Sequence, residues 1–270
     1  MNSSSKRIVI YHANCVDGFT AAWCAWQKFG DDAEYLPANY GDRPPEALGL
    51  DVLILDFTYP RRELEYMAKV ADSIRVLDHH KTAREDLEGL DFALFDMDRS
   101  GAGIAWDELH GAPRPKLVDY VEDRDLWRWE LPASKEISAW IASWDMDDFR
   151  PWSLLLGDLE ASFHDCHRQG SALLRAVEKH VKSQTKLAGE IGIAGHRVPC
   201  INCTYGVSEL VGKLAEAAPF AVGWFQRADG MFVYSLRSRG DFDVSAVARQ
   251  FGGGGHRNAA GFTVKEMVHR

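Results

Sequence analysis

The stretch SIRVLDHHKTA, residues 73–83, decides the fold. A short apolar-rich run ends abruptly in Asp78-His79-His80. Such a run bounded by polar residues reads as a buried strand, and two adjacent imidazoles at a sheet edge gain little by packing. The same design recurs on either side. RIVIYH (7–12) ends in His12, DVLILDF (51–57) carries Asp56 near its end, and FALFDMD (92–98) ends in Asp96 and Asp98. AEYLPA (33–38) is a further extended segment. Between these runs, GFTAAWCAWQKFG (18–30), Arg61 to Val70 and GAGIAWDELHG (101–111) repeat their apolar residues at helical spacing, the first stopping at Gly30. Strand and helix in alternation predict a parallel sheet covered on both faces. In such a sheet the C-terminal strand ends share one edge, where ligands bind, so His12, Asp56, Asp78–His80 and Asp96/Asp98 are expected to converge.

From about Val118 to Gly189 helical segments dominate. A second α/β pattern starts near residue 197: RVPCINC, the helical SELVGKLAEAA, the strands FAVGWFQ and MFVYSLR, helix VSAVARQF, and a glycine-rich turn before AGFTV. Ala228-Asp229-Gly230 reads as the hairpin turn between the two strands. The chain is thus expected to divide into residues 1–130, a helical connector over 131–195, and a smaller α/β domain over 196–270.

With 40 Asp+Glu against 31 Lys+Arg, the 270-residue chain carries a formal charge of −9, which argues against long nucleic acid as the main partner. The acidity is uneven: residues 196–270 hold nine Lys+Arg and six Asp+Glu. Five sparse cysteines and the lack of any signal-like or membrane-spanning run suggest a cytoplasmic protein without a membrane partner.

Four segments offer hard or imidazole ligands: His12 with Asp17, Asp56, Asp78-His79-His80, and the run Glu122-Asp123-Arg124-Asp125. Packed carboxylates need a neutralising cation, and a carboxylate–imidazole mixture suits Mn²⁺ or a similar octahedral ion better than a thiolate zinc site. Two such ions would activate water and offset charge in an in-line phosphoryl displacement.

VLDHHKTA (76–83) resembles the signature of the DHH phosphoesterase superfamily, and FGGGGHRNAAGF (251–262) resembles the closing motif of the DHH-associated C-terminal domain. With YHANCVDGF and the Asp56 strand, the resemblance spans nearly the whole chain in the family's order. It implies a parallel-sheet α/β catalytic domain, a helical connector and a smaller α/β substrate-binding domain. It also implies two metal ions, with Mn²⁺ expected and Mg²⁺ as an alternative. By position, His12 and Asp56 would hold one ion, and Asp17, Asp56, His79 and Asp123 the other, with Asp119 and Asp125 as alternatives to Asp123. Asp78 would orient the tandem histidines, and His80 would lie near the phosphate.

The family's first motif has two Asp residues after its His, whereas here His12-Ala13-Asn14-Cys15-Val16-Asp17 is one residue longer and has one. A weaker first metal site and two unequal metal affinities are therefore expected. Gly253, Gly254, Gly255 and His256 are expected to bind substrate as an anion nest, with Arg237 and Ser238 beside them. Arg99 and Ser100 are weighed equally between substrate binding and a helix start. Cys200-x-x-Cys203, with His164 and His167, could hold zinc, but buried inert cysteines are the stronger reading. Five of the nine tryptophans lie between Trp127 and Trp152; packing is favoured for the group, with Trp127 and Trp129 nearest the expected cleft.

The resulting expectation is a metal-dependent phosphodiesterase, oligoribonuclease- or exonuclease-like, acting on short oligonucleotides or cyclic dinucleotides. The alternatives are a phosphatase of 3′-phosphorylated nucleotides such as pAp, and a catalytically reduced nucleotide-binding protein. Oligomeric state is left open.

Overall fold

The computed structural model describes residues 6–268. The chain forms two units, residues 1–174 and 175–270. The three-part division drawn from the sequence stays a proposal beside this one.

The first unit opens with β1 (Lys6–His12), α1 (Val16–Phe29), β2 (Ala33–Ala38), β3 (Leu50–Leu55), α2 (Arg61–Val70), β4 (Ser73–Asp78), α3 (Lys81–Asp86), β5 (Ala93–Phe95) and α4 (Gly101–His110). It continues through helices α5 (Lys116–Asp125), α6 (Ser134–Ile141), α7 (Phe149–Ala161) and the start of α8 (Phe163–Gln184). The five strands are parallel, in the order β2-β1-β3-β4-β5. Two buried clusters flank them. Val9, Leu53, Leu55 and Leu77 meet α1, α4, α5 and α7 on one face. Ile8, Ile10, Ile54 and Val76 meet α2 on the other. Alternate residues of one strand serve opposite clusters, as the pleat demands.

Each expected strand of this unit forms, and each stops where its apolar run stops. The polar residues therefore emerge together at the C-terminal edge, because parallel strands all end on the same side. Gly30 ends α1 with φ +55, a conformation glycine adopts without Cβ strain.

The second unit contains β6 (Gly189–Ile193), β7 (His196–Asn202), α9 (Val207–Leu214), β8 (Phe220–Gln226), β9 (Phe232–Ser238), α10 (Val244–Arg249), β10 (Gly254–Gly255) and β11 (Ala259–Val264). Its sheet runs β10-β11-β9-β8-β7-β6 and is mixed; β7 and β8 are parallel and the other pairs antiparallel. Gly230 (φ +86) turns the β8–β9 hairpin, and Asp229 Oδ1 accepts the Met231 amide at 3.1 Å. The sequence reading missed β6, whose GEIGI has two glycines and only two buried side chains. Cys200 and Cys203 fall into different buried clusters on the two sides of this sheet, so they form no zinc pair. Among the described residues no helix is long and apolar enough to cross a membrane.

Candidate metal centre

The C-terminal edge of the first sheet gathers seven ionisable side chains: His12, Asp17, Asp56, Asp78, His79, His80 and Asp125. Asp56, just past β3, is 1 % exposed and has φ +53. Its amide donates to Leu77 O at 2.9 Å, which fixes this left-handed residue against β4. Its Oδ1 lies 3.2 Å from His79 Nε2 and 3.8 Å from His80 Nδ1, and its Oδ2 lies 3.5 Å from His12 Nδ1. Neither oxygen completes a hydrogen bond among the described residues, nor does His12 Nδ1. His79 Nε2 is also 3.7 Å from Asp17 Oδ2 and 3.4 Å from Asp125 Oδ2.

Asp17 is held from behind. Its Oδ2 accepts the Gly101 amide at 2.6 Å and its Oδ1 the Ala102 amide at 3.0 Å, so it sits on the N-terminus of α4. That approach requires glycine at 101, where a Cβ would stand 2.5 Å from Asp56 Cβ and 2.8 Å from Asp17 Oδ2. Asp78, fully buried, accepts at Oδ1 from the amides of His79 (2.8 Å) and His80 (3.3 Å) and pairs with His80 Nδ1 at 2.7 Å. With a proton on Nδ1, the His80 Nε2 atom is left as an acceptor, the usual tautomer control of a ligating imidazole.

Electrostatics show the strain of this packing. Burial, together with Asp56 and Asp125, pushes Asp17 well above the usual carboxylate range. Burial likewise raises Asp125, despite the nearby histidines. For Asp56, burial opposes ionisation, but His12 and His79 outweigh it and hold the group well below that range. Burial works against a charged His79, yet Asp56, Asp125 and Asp17 raise its pKa well above normal. The structure fits a cation. Donor atoms of Asp17, Asp56 and His79 lie within 4.8 Å of one another, as do those of His12, Asp56 and His80, so Asp56 is common to both sets. Three crowded carboxylates, imidazole donors and two buried oxygens without hydrogen bonds are what a divalent ion of the Mg²⁺ or Mn²⁺ kind would satisfy.

Asp123 is a different matter. The sequence reading put it among the metal ligands, but its carboxylate accepts the Glu130 amide at 2.9 Å and the Ser134 hydroxyl, organising the turn after α5. Asp125 stands beside His79 instead. Residues two apart on a helix project about 200° apart, so one of this pair faces the centre and the other faces away. Asn14 (φ +55) and Cys15 join neither donor set. Burial beside Asp56, Asp125 and Asp17 pushes the Cys15 thiol well up, which keeps it neutral. Asn14 instead lines a cavity of about 290 Å³ with Tyr11, Phe19, Asn39 and Met146.

The Arg99–Ser100 pair serves the fold. Arg99 binds Asp96 and Asp107, at 2.7 and 2.9 Å, and fully buried Ser100 caps α4 by accepting the Gly103 amide at 3.2 Å. The Ser100 amide donates to Glu122, which also pairs with Arg114 at 2.9 Å. These bonds give the two residues a capping and ion-pair role, and substrate binding by them stays a proposal.

In the second unit the glycine run is equally committed. The amides of Gly252 and Gly253 donate to Arg249 O and Ala248 O, at 3.1 and 3.0 Å. A Cβ at Gly253 would lie 2.1 Å from Gly261 O, and one at Gly255 (φ +135) 2.7 Å from Ala259 O. Gly254 and Gly255 pair with β11. These glycines bring β10 close to β11, and the Gly252 and Gly253 amides are committed to carbonyls of the preceding helix. Ser238 is buried and bonds Phe242 O and Asn258 Nδ2, at 2.7 and 2.9 Å. Arg237 reaches Ser208 Oγ at 2.9 Å, and the His256 amide donates to Ala259 O at 2.8 Å.

Two features escaped the sequence reading. Tyr40, 55 % exposed after β2, sets its ring 5.4 Å from that of His12 and 6.2 Å from that of His80. A lone aromatic in a loop carries no periodic signal that could have found it. Among the described residues, six non-glycine positions have positive φ; Asn14 and Asp56 lie at this edge and Trp127 and Trp129 just past α5, and strain of this kind costs about 1–3 kcal/mol each and concentrates at functional sites.

The five-stranded parallel sheet and the second mixed sheet define an α/β protein of two units, with a carboxylate common to two donor sets at the edge of the first sheet. Residues 206–269 match the DHHA1 domain. The chain is 29% identical over 287 residues to the uncharacterized protein R106 of Acanthamoeba polyphaga mimivirus, covering 96% of this chain and 68% of that protein. It is 23% identical to oligoribonuclease NrnB of Bacillus subtilis (strain 168), covering 96% of this chain and 73% of that one. Its fold is similar to that of RecJ from Thermus thermophilus in complex with Mn²⁺, with a TM-score of 0.52 and 18% identity, over 96% of this chain and 50% of that chain. The chain is thus similar to DHH-family phosphoesterases, and its second unit carries a match to the DHHA1 domain.

Proposed function

We propose that this protein is a divalent-metal-dependent phosphodiesterase that cleaves short oligonucleotides. The observation that carries the reading is Asp56: a buried carboxylate, shared by two donor sets, with both oxygens lacking hydrogen bonds. When bound there, a pair of Mn²⁺ or Mg²⁺ ions would lower the pKa of water and offset charge on the phosphoryl oxygens. His12, Asp56 and His80 would hold one ion; Asp17, Asp56, His79 and Asp125 would hold the other. Asp78 keeps the His80 proton on Nδ1, and the α4 amides keep Asp17 aimed inward. Arg237 and His256 of the second unit are proposed to bind substrate. The similarity to oligoribonuclease NrnB favours a short RNA substrate over a long one, and the net charge of −9 agrees.

A second reading, a nucleotide-binding protein with reduced turnover, is favoured by one observation: the His12, Asp56 and His80 set contains a single carboxylate. One assay separates the readings. A ribodinucleotide, pAp, a cyclic dinucleotide and pyrophosphate are each incubated with Mn²⁺, Mg²⁺ or chelator. Cleavage of the dinucleotide to mononucleotides, dependent on Mn²⁺ and abolished by chelator, is expected. Binding without turnover supports the second reading, and selective release of phosphate from pAp identifies a phosphatase.

A further inference from the structure

We infer that Trp127, backed by Arg124 and Trp129, is a stacking platform for the nucleobase of a nucleotide whose phosphate lies at the metal centre; this deepens the phosphodiesterase reading and rests on it. Of the tryptophans between 127 and 152, Trp140 and Trp152 are core residues at 1 % and 0 % exposure, whereas Trp127 is 45 % exposed. It sits in a turn that the chain clamps tightly. The Arg128 amide donates to Asp123 O at 2.9 Å, the Trp127 amide to Arg124 O at 3.1 Å, and the Arg128 side chain to Glu122 at 3.3 Å.

Within that clamp Trp127 has φ +58 and Trp129 φ +60. Glycine or asparagine occupies this conformation readily, and a bulky aromatic does not. An exposed indole that gains little burial is being kept where the backbone disfavours it. Such an outlier points to function when its surroundings hold it in place. They do: the Arg124 guanidinium lies 4.9 Å from the Trp127 ring and 5.7 Å from the Trp129 ring, and the Lys135 ammonium 5.7 Å from the latter. The two indoles meet edge to face at 4.9 Å. Cation–π contacts thus fix the rings by placing positive charge over one face.

Location selects the occupant. Trp127 follows Asp125 by two residues, and Asp125 Oδ2 is 3.4 Å from His79 Nε2. Two residues span at most roughly 7 Å of backbone, so the indole begins about one nucleotide's reach from the donors that would hold a phosphate. A flat indole backed by a cation over its ring suits a base, with positive charge close by for its phosphate. Stacking accepts any base, so the platform would favour base-bearing substrates without reading sequence.

The test compares AMP with ribose 5-phosphate, each titrated calorimetrically into the full-length protein in Mn²⁺. The wild type should bind AMP about five- to a hundredfold more tightly, the range that stacking of one base supplies. Trp127→Ala should erase most of that preference while leaving ribose 5-phosphate affinity unchanged, and Trp127→Phe should restore part of it. Trp127→Gly relieves the positive φ, so it should melt above Trp127→Ala yet still lack the preference. Equal wild-type affinities for the two ligands, no AMP binding, or equal weakening of both by Trp127→Ala would overturn the inference. A protein that prefers AMP but cleaves no dinucleotide would sink the phosphodiesterase reading and leave the platform standing.

Discussion

The strand-end centre of the first unit and the glycine turn of the second both looked like anion or metal sites in the sequence, and their polar groups behave in opposite ways. Around Asp56, buried oxygens lack hydrogen bonds, carboxylates crowd together, and backbone torsions are strained. Around Gly253, amides are bonded to neighbouring carbonyls, and the space a Cβ would take is filled by the protein's own backbone. A site that awaits a ligand shows unmet demand, whereas a structural turn is already satisfied.

Substitutions can break this contrast. His79→Ala removes a donor from the centre and should lower Mn²⁺-dependent turnover by about a thousandfold or more, the equivalent of several kcal/mol of transition-state stabilisation. Circular dichroism should remain that of the wild type, and full activity in this variant would refute the centre. Asp78→Asn leaves the donors in place but disturbs His80, so calorimetry should show metal affinity about 10- to 100-fold weaker. Gly253→Ala should do the reverse, costing about 1–3 kcal/mol of stability with unchanged metal affinity, because the new methyl meets Gly261 O. A metal defect in that variant without loss of stability would return the turn to the ranks of ligand sites.

The smallest effect is a pH dependence. Burial disfavours protonated His79 and His80, but the surrounding carboxylates outweigh it and raise both pKa values. Their protonation therefore stabilises the metal-free protein fully below about 6.5, the unfolded value, and that contribution is lost as pH rises through the folded values. Asp17 and Asp125, also raised, act in the same direction from lower pH; Asp56, which is lowered, acts oppositely but only in acid. Cations compete with these protons. The rise in melting temperature on adding Mn²⁺ to chelator-treated protein should widen between about pH 6.5 and the folded histidine values, and a constant gap would contradict the ligand set.

The strand ends were legible because a buried apolar run followed by Asp-His-His has few other uses, and parallel topology does the gathering. Strand order β2-β1-β3-β4-β5 was not legible, since it depends on which strands pair rather than on any one segment. Asp125 was hidden by phase: Asp119, Asp123 and Asp125 share a helix, and only the helix's rotation against the sheet selects among them. The glycine run is ambiguous in sequence because close strand approach and anion binding ask for the same residue. Ser100 could be read either as cap or ligand from its position, and the Gly103 amide shows that it caps α4.

The Asp17 carboxylate has a consequence for biosynthesis. Its partners, the Gly101 and Ala102 amides, lie 84 and 85 residues downstream, and Asp125 follows later still. A chain emerging from the ribosome exposes His12, Asp17 and Asp56 long before the helix that aims one of them or the carboxylate that completes the set. Early ligands on a flexible chain bind ions weakly because loop closure opposes them. Tight binding of an ion there would therefore have to follow formation of the first unit through α5.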